Sequence, residues 1–193
     1  MIKTVGVYCA SSTQINKQYF TAAEELGQIL AENHIACCNG GGGIGLMSAI
    51  SDSIMKHGGI AIGVIPRFMV DMKWHHTALS TLHIVENMHE RKAKMAELSD
   101  AIVALPGGIG TLEELLEILT WKQLGLFNKP IIILNIGGFF DQLLELLDKA
   151  IAEKFMRMEH KNMWQVIRTP QEFMSAINEQ PYWDNSFRKI AAI

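Results

Sequence analysis

Seven short apolar runs rich in valine and isoleucine recur along the chain, and longer amphipathic segments separate most of them. The runs predict strands at Thr4–Cys9, Ile35–Asn39, Ile60–Ile65, Leu82–Val85, Ala101–Leu105, Ile131–Asn135 and Gln165–Arg168. The longer segments, among them one with four leucines at helical spacing between positions 112 and 119, predict helices at Gln18–Asn33, Gly45–His57, Met88–Leu98, Leu112–Leu124, Phe139–Phe155 and Gln171–Asn178. Because strands and helices alternate, we expect a three-layer α/β fold, an open parallel sheet of about seven strands with helices on both faces.

The length and charge of the chain favour one domain with a small ligand. A chain of 193 residues can bury a complete core, so we expect a single domain over residues 1–193, with 180–193 as a C-terminal tail. Its 17 Lys and Arg and 20 Asp and Glu form no long block of one sign, so neither a nucleic acid nor a membrane is an expected partner. The first apolar run is too short for a secretory signal, and no segment approaches a membrane span in length, so we expect a cytoplasmic protein.

The cysteines and histidines give no indication of a metal site. Cys9, Cys37 and Cys38 lie in or at the end of apolar runs, where reduced cysteine packs as a small hydrophobe. None of the seven histidines has the spacing of a metal ligand with acidic partners on one helix face. We therefore expect no disulfide, no metal and no cofactor. His75 and His76, in the predicted long loop Arg67–Ser80, stay open as ordinary loop residues or as ligand contacts.

Small residues collect where the predicted strands end. In an open Rossmann-like sheet, ligands bind beyond the carboxyl ends of the strands, because the loops converge there and helix N-termini point inward. Gly40–Gly45 follows the second strand and Pro106–Thr111 follows the fifth, each directly before a helix, while Ser11 follows the first strand. Free backbone amides and the helix dipole make such a glycine-rich turn suitable for an anion such as a phosphate.

The turn after the second strand also has the spacing G-x-G-x-x-G, at Gly40, Gly42 and Gly45. That spacing occurs in sites for NAD or NADP, but those sites have an acidic residue at the end of the next strand, which here runs into Pro66 and Arg67. Another explanation is that the glycines only allow close packing of a strand on a helix. Both explanations stay open beside a role in ligand binding.

Two carboxylates, Glu113 and Glu114, directly follow the glycine-rich turn after the fifth strand. One explanation is structural, because Thr111 as N-cap with Glu114 three residues later fits a capping box, and an acid in the first helical turn is favoured by the helix dipole. The other explanation is functional, since a carboxylate beside an anion site can bind or transform the ligand.

Three motifs, in order, give the chain a resemblance to a known family. G-G-G-x-G-L-M ends at Met47, R-K stands at Arg91 and Lys92, and P-G-G-x-G-T-x-x-E runs from Pro106 to Glu114. Together they resemble the LOG family of cytokinin riboside 5′-monophosphate phosphoribohydrolases, over about Val5 to Arg168. The resemblance implies a nucleotide-binding hydrolase that cleaves the N-glycosidic bond of a purine nucleoside 5′-monophosphate, either a cytokinin riboside monophosphate or AMP. The products are the free base and ribose 5-phosphate.

The resemblance also implies which residues act. Arg91 and Glu114 match the catalytic pair of the family. The implied substrate-binding residues are Ser11, Gly42, Gly43, Met47, Lys92, Gly107, Gly108, Ile109, Gly110, Thr111, Leu112, Glu113 and Thr120. The chain departs from the family pattern at Phe68, where many members have a glutamate, and in the longer loop that follows.

The chemistry of this pair suits cleavage of a C1′–N bond. Cleavage builds positive charge on the ribose, which a carboxylate such as Glu114 can stabilise, or the carboxylate can activate water. The phosphate and the departing base are anionic and suit the guanidinium of Arg91. By pattern alone, Arg91 and Lys92 fit equally well on a solvated helix face, with Met88 and Met95 on the buried side.

Two other functions stay open. One is a nucleotide or cofactor carrier without chemistry, as in proteins resembling the molybdenum-cofactor carriers, and the other is a nicotinamide-dependent oxidoreductase. Retention of Arg91 and Glu114 favours the hydrolase. A lysine decarboxylase, a label that LOG proteins often carry, is not expected, because nothing resembles a pyridoxal-phosphate lysine site. Family members are dimers or larger, so the resemblance implies a homodimer, for which the helix Leu112–Leu124 with Trp121 could supply a face.

Overall fold

The computed structural model describes residues 2–181 and residue 183, and it contains one seven-stranded sheet. The strands are β1 (Thr4–Tyr8), β2 (Ala36–Asn39), β3 (Ala61–Pro66), β4 (Thr81–Val85), β5 (Ala101–Ala104), β6 (Ile131–Leu134) and β7 (Gln165–Ile167). All pairs are parallel, and the order across the sheet is β4-β3-β2-β1-β5-β6-β7. Each strand agrees with a predicted run, and the predicted α/β fold class is confirmed.

The connections between the strands contain the helices. They are α1 (Lys17–Glu32), α2 (Gly45–Lys56), α3 (Arg67–Asp71), α4 (Met88–Leu98), α5 (Ile109–Gln123), α6 (Asp141–Ala152) and α7 (Phe173–Asn178). Six of them correspond to predicted helices, although α6 is shorter at both ends. The prediction of a loop over Arg67–Ser80 is wrong in its first part, which forms α3. A helix of five residues is too short to show a hydrophobic period, which is why the pattern did not indicate it.

Helices cover both faces of the sheet because neighbouring residues of a strand point to opposite faces. Val7 and Cys37 pack into a core with α1, α2 and α7. Tyr8 and Cys38, each the next residue along its strand, pack into a second core with α4, α5 and α6. The cysteines at positions 9, 37 and 38 are all buried and unpaired.

The strand order reverses between β1 and β5, which are hydrogen-bonded neighbours. Loops on the two sides of such a reversal lead away from each other and leave a crevice at the carboxyl edge of the sheet. Backbone hydrogen bonds hold three of these loops together. The N–H of Leu46 donates to the carbonyl of Ala10 at 2.9 Å, and the N–H of Ala10 donates to the carbonyl of Pro106 at 3.3 Å.

Most of the predicted tail 180–193 lies outside the described residues. Trp183 is half-buried against the core on the α5 and α6 side, with its ring centroid 6.0 Å from that of His160. Within the part of the chain that the structure describes, no helix is both long and apolar enough to cross a membrane.

Candidate active site

A cavity of about 310 Å³ opens at the crevice between β1 and β5. Its lining comes from the ends of β1, β2 and β5 and from parts of α2, α3, α4 and α5: Val7, Cys9, Ala10, Ser11, Gly40, Met47, Met69, Met88, Arg91, Gly108, Ile109, Gly110, Thr111, Glu113 and Glu114. The fold therefore brings both members of the predicted catalytic pair together with most of the glycine-rich turn. The volume lies at the lower end of the range typical of small-molecule sites, roughly 300–1,000 Å³.

Helix α5 begins earlier than predicted. Gly108 is its N-cap residue, with extended backbone angles, and the N–H of Leu112 donates the first intrahelical bond to the Gly108 carbonyl at 3.0 Å. Thr111 and Glu114 therefore occupy the third and sixth helical positions, so the capping box predicted for them is wrong. The backbone amides of the first helical turn have no carbonyl one turn earlier, and together with the helix dipole they make this end of the cavity electrostatically suited to an anion.

Arg91 and Glu114 form an ion pair between α4 and α5. Nη2 of Arg91 donates to Oε1 of Glu114, and the two side chains are only 11% and 7% exposed. Such a buried pair contributes little to stability, because desolvation offsets the attraction. Nε of Arg91 is buried without a hydrogen-bond partner among the described residues, and Nη1 lies 3.8 Å from the sulfur of Met88. The guanidinium therefore retains donor capacity that its protein neighbours do not use.

The buried environment of Glu114 favours the protonated, neutral form of its carboxyl group over the ionised form, compared with a glutamate in water. Burial raises the pKa of the Glu114 carboxyl, and the charge of Arg91 opposes that rise. Burial also raises the pKa of Tyr8, the last residue of β1, and of Cys9, which follows it, so both stay uncharged. A carboxyl group with a raised pKa exchanges protons more readily near neutral pH, which is characteristic of catalytic acids and bases.

Lys92 lies beside this pair but does not line the cavity. Its side chain is 8% exposed, and Nζ donates to Oε1 of Glu113 and, at 3.0 Å, to Oε1 of Glu117. Glu113 lines the cavity with half of its side chain exposed. Lys92 therefore reaches the site only through its acidic partner.

Two predicted binding residues, Leu112 and Thr120, lie on a shallow exposed groove along α5. This groove, which we call the α5 groove, is lined by Ile109, Leu112, Glu113, Leu116, Glu117 and Thr120. Ile109 is 86% exposed and Leu116 is 41% exposed. The four leucines at helical spacing do lie on a helix, but Leu116 faces away from the core.

Gly42 and Gly43 are near the cavity but are not among its lining residues. The N–H of Gly43 donates to the carbonyl of Trp74 at 2.8 Å, and Gly42 forms an isolated antiparallel bridge with His75. The glycines here pair with the segment after α3. Nε2 of His76 lies 2.9 Å from a carboxylate oxygen of Asp52 on α2, so this histidine holds the segment and does not line the cavity.

Gly45 allows close packing at the start of α2. It has a positive φ of 67°, and a Cβ there would lie 2.5 Å from the carbonyl carbon of Ser11. Only glycine fits this contact, which supports the packing explanation for this end of the G-x-G-x-x-G spacing.

Six lining residues are not among the predicted site residues: Val7, Cys9, Ala10, Gly40, Met69 and Met88. The last three show why sequence reasoning missed them. Met69 comes from α3, and the missed helix explains its omission. Met88 was expected on the buried side of α4 but is 39% exposed at the cavity, so that expectation is wrong. Gly40 was noted only for its spacing, yet a Cβ there would lie 2.8 Å from Nη2 of Arg91. The small residue therefore makes room for the guanidinium.

The chain is similar to known proteins over most of its length. Residues 47–177 match the family described as possible lysine decarboxylase. The chain is 45% identical to the cytokinin riboside 5′-monophosphate phosphoribohydrolase LOG1 of Arabidopsis thaliana, over 80% of this chain and 72% of that protein. It is 40% identical to the cytokinin riboside 5′-monophosphate phosphoribohydrolase LOG of Oryza sativa subsp. japonica, over 92% of this chain and 73% of that protein. Among solved structures, the molybdenum cofactor carrier protein of Chlamydomonas reinhardtii has the same fold, with a TM-score of 0.72 at 19% identity over 93% and 98% of the chains.

Proposed function

Because this chain belongs to the LOG family, we propose that it hydrolyses the N-glycosidic bond of a purine nucleoside 5′-monophosphate. Water adds to C1′ of the ribose, the C1′–N bond breaks, and the water protons are divided between the new hydroxyl and the departing base. The products are the free base and ribose 5-phosphate. The observation that carries the proposal is the buried pair of Arg91 and Glu114 at the cavity, one helical turn from the start of α5.

The start of α5 would hold the phosphate. Gly108 and Gly110 both line the cavity, and a Cβ at either position would meet no atom within 4 Å, so their backbone is open to a ligand. The amides of the first helical turn and the positive end of the helix dipole favour a dianionic group there.

Glu114 and Arg91 would act on the ribose and the base. The carboxylate of Glu114 stabilises the positive charge that develops at C1′ and accepts a proton from the attacking water. The unused donor capacity of Arg91 is available for the substrate, and the guanidinium offsets negative charge on the departing base. Since each group holds the other in place, the pair is oriented before the substrate binds.

The other activities considered from the sequence have less support. The likeness to molybdenum cofactor carriers is at 19% identity and concerns the fold alone, whereas a carrier would have no need for the buried acid and base of this cavity. A pyridoxal-phosphate decarboxylase needs a lysine in its site, and no described lysine lines this cavity. The end of β3 has no carboxylate for a nicotinamide ribose, because Pro66 leads directly into Arg67.

Several finer features stay predictions. We propose a single nucleotide-binding domain over residues 1–193 that acts in the cytoplasm, with AMP or an N6-substituted adenosine monophosphate as substrate. We also propose a homodimer joined through the α5 groove, because Ile109 and Leu116 expose apolar surface there. The predicted substrate contacts of the residues outside the cavity lining are less favoured than those of the lining residues; these are Gly42, Gly43, Lys92, Gly107, Leu112 and Thr120.

Chromatography of base release from a panel of nucleoside monophosphates tests the hydrolase. We expect the free base and ribose 5-phosphate from the wild-type protein, and at least a thousandfold slower release by Glu114→Gln, about 4 kcal/mol of transition-state stabilisation. The matched control is Glu97→Gln, an exposed glutamate on α4 outside the cavity. If the folded wild-type protein binds a monophosphate tightly and releases no base, the carrier is favoured instead.

A further inference from the structure

Lys92 and its acidic partners form a second link between α4 and α5, parallel to the pair of Arg91 and Glu114. The resemblance to the family implied that Lys92 binds the nucleotide. In the structure its side chain is 8% exposed, and its ammonium already has two carboxylate acceptors, one on Glu113 and one on Glu117. A cation that is buried between two anions is not available to a third anion in the cavity.

The charges around Glu114 give this second link a consequence for the reaction. The titratable groups that face Glu114 are Arg91 and Lys92 from α4, Tyr8 and Cys9 at the end of β1, and Glu113 on its own helix. Tyr8 and Cys9 are neutral, so the balance of charge depends on the two cations and Glu113. Burial raises the pKa of Glu114 most, and Arg91 opposes that rise. Of the two remaining charges, Glu113 raises the pKa and Lys92 lowers it.

We propose that Lys92 is a positioning residue for the reaction: it neutralises Glu113 and Glu117, favours the ionised form of Glu114, and does not bind the nucleotide itself. The inference rests on the proposed function, in which the ionised carboxylate acts on the ribose. Without Lys92, two uncompensated carboxylates would lie on the same helix as Glu114, one of them the adjacent residue. Ionised Glu114 would then be disfavoured by like charge.

Lys92→Met keeps the length of the side chain and removes its charge. We expect the acid limb of kcat/KM against pH to move up by about one pH unit, because a shift of one unit corresponds to about 1.4 kcal/mol, the order of effect of one unpaired charge on a neighbouring helix at an effective dielectric constant near 20. At a pH well above this limb, the KM for the nucleotide should change less than threefold. Lys92→Arg keeps the charge and should restore the wild-type limb.

Glu117→Gln gives a second test that does not depend on the folding of Lys92→Met. Its side chain is 29% exposed, and its removal leaves Lys92 with one acidic partner in place of two. The site gains positive charge, so the acid limb should move to lower pH, opposite to the effect of Lys92→Met. If Lys92 only holds the helices together, the acid limb should stay unshifted in both variants.

Direct titration separates this inference from the proposed function. The ¹³C side-chain signal of Glu114, assigned by its loss in Glu114→Gln, reports ionisation without any turnover. If the wild-type protein releases no base, the proposed function fails, while opposite shifts of the Glu114 titration in Lys92→Met and Glu117→Gln still support the electrostatic role. An unshifted titration in both folded variants, or a KM raised more than tenfold with an unmoved acid limb in Lys92→Met, overturns it.

Discussion

The glycine at the second position of α5 gives a test in which stability and activity should change in opposite directions. Gly110 has helical neighbours, and a Cβ added there would meet no atom within 4 Å. Alanine is favoured over glycine in helices by roughly 0.5–1 kcal/mol, and the first turn lies at the lower end of that range. We therefore expect Gly110→Ala to raise the free energy of unfolding by about 0.5 kcal/mol, or Tm by about 1–2 °C.

The same methyl group should lower activity, because Gly110 lines the cavity where the phosphate is proposed to bind. Displacing the phosphate from one charge-assisted hydrogen bond costs about 1.5–3 kcal/mol, which corresponds to a loss of roughly tenfold to a hundredfold in kcat/KM. Thermal unfolding followed by circular dichroism measures the first effect, and chromatography of the released base measures the second.

Gly107→Ala is the matched comparison on the same turn. Its Cβ would lie 2.1 Å from Oγ1 and 2.6 Å from Cβ of Thr111, so Thr111 must move and both stability and activity should fall. If Gly110→Ala is fully active at an unchanged KM, the start of α5 does not hold the phosphate. If Gly110→Ala unfolds at a lower temperature than the wild type, the space around position 110 is not free for an added methyl group.

Two further predictions concern stability and assembly. Lys122 is buried with its Nζ 3.0 Å from the carbonyl oxygen of Lys129, and burial lowers its pKa from 10.5 to about 8, a cost of roughly 3 kcal/mol while the amine is charged in the folded protein. The folded protein loses this proton near pH 8 and the unfolded chain near pH 10.5, so stability from this group rises with pH between those values. Lys122→Met should therefore unfold at a higher denaturant concentration than the wild type at pH 7, with an advantage that shrinks toward pH 10.5, and a constant advantage would contradict this reasoning. Leu116→Lys should convert the proposed dimer to a monomer in light scattering, whereas Leu146→Lys, an exposed leucine on α6, should not; a dimer that survives Leu116→Lys does not use the α5 groove.

The strands were predictable because burial on both faces leaves a simple signal. Runs such as Ile131–Leu134 are apolar at every position, since helices cover both sides of the sheet. Where the start of a helix is set by the backbone alone, the sequence gives no comparable signal. Gly108 caps α5 without a side-chain hydrogen bond, so the better-known capping pattern at Thr111 led to a start three residues too late.

The partnership of Arg91 and Glu114 follows from the topology and not from spacing along the chain, in which 23 residues separate them. Both α4 and α5 begin at the carboxyl edge of the sheet, and both pack on the face that carries Tyr8 and Cys38. Early turns of helices that share a face and an edge lie close together, so a cation in the first turn of one can meet an acid in the second turn of the other. The strand order decides whether two helices share a face, and no local pattern encodes it. The motifs therefore named the two residues, while the reversal between β1 and β5 explains why they meet beside a helix N-terminus that suits an anion.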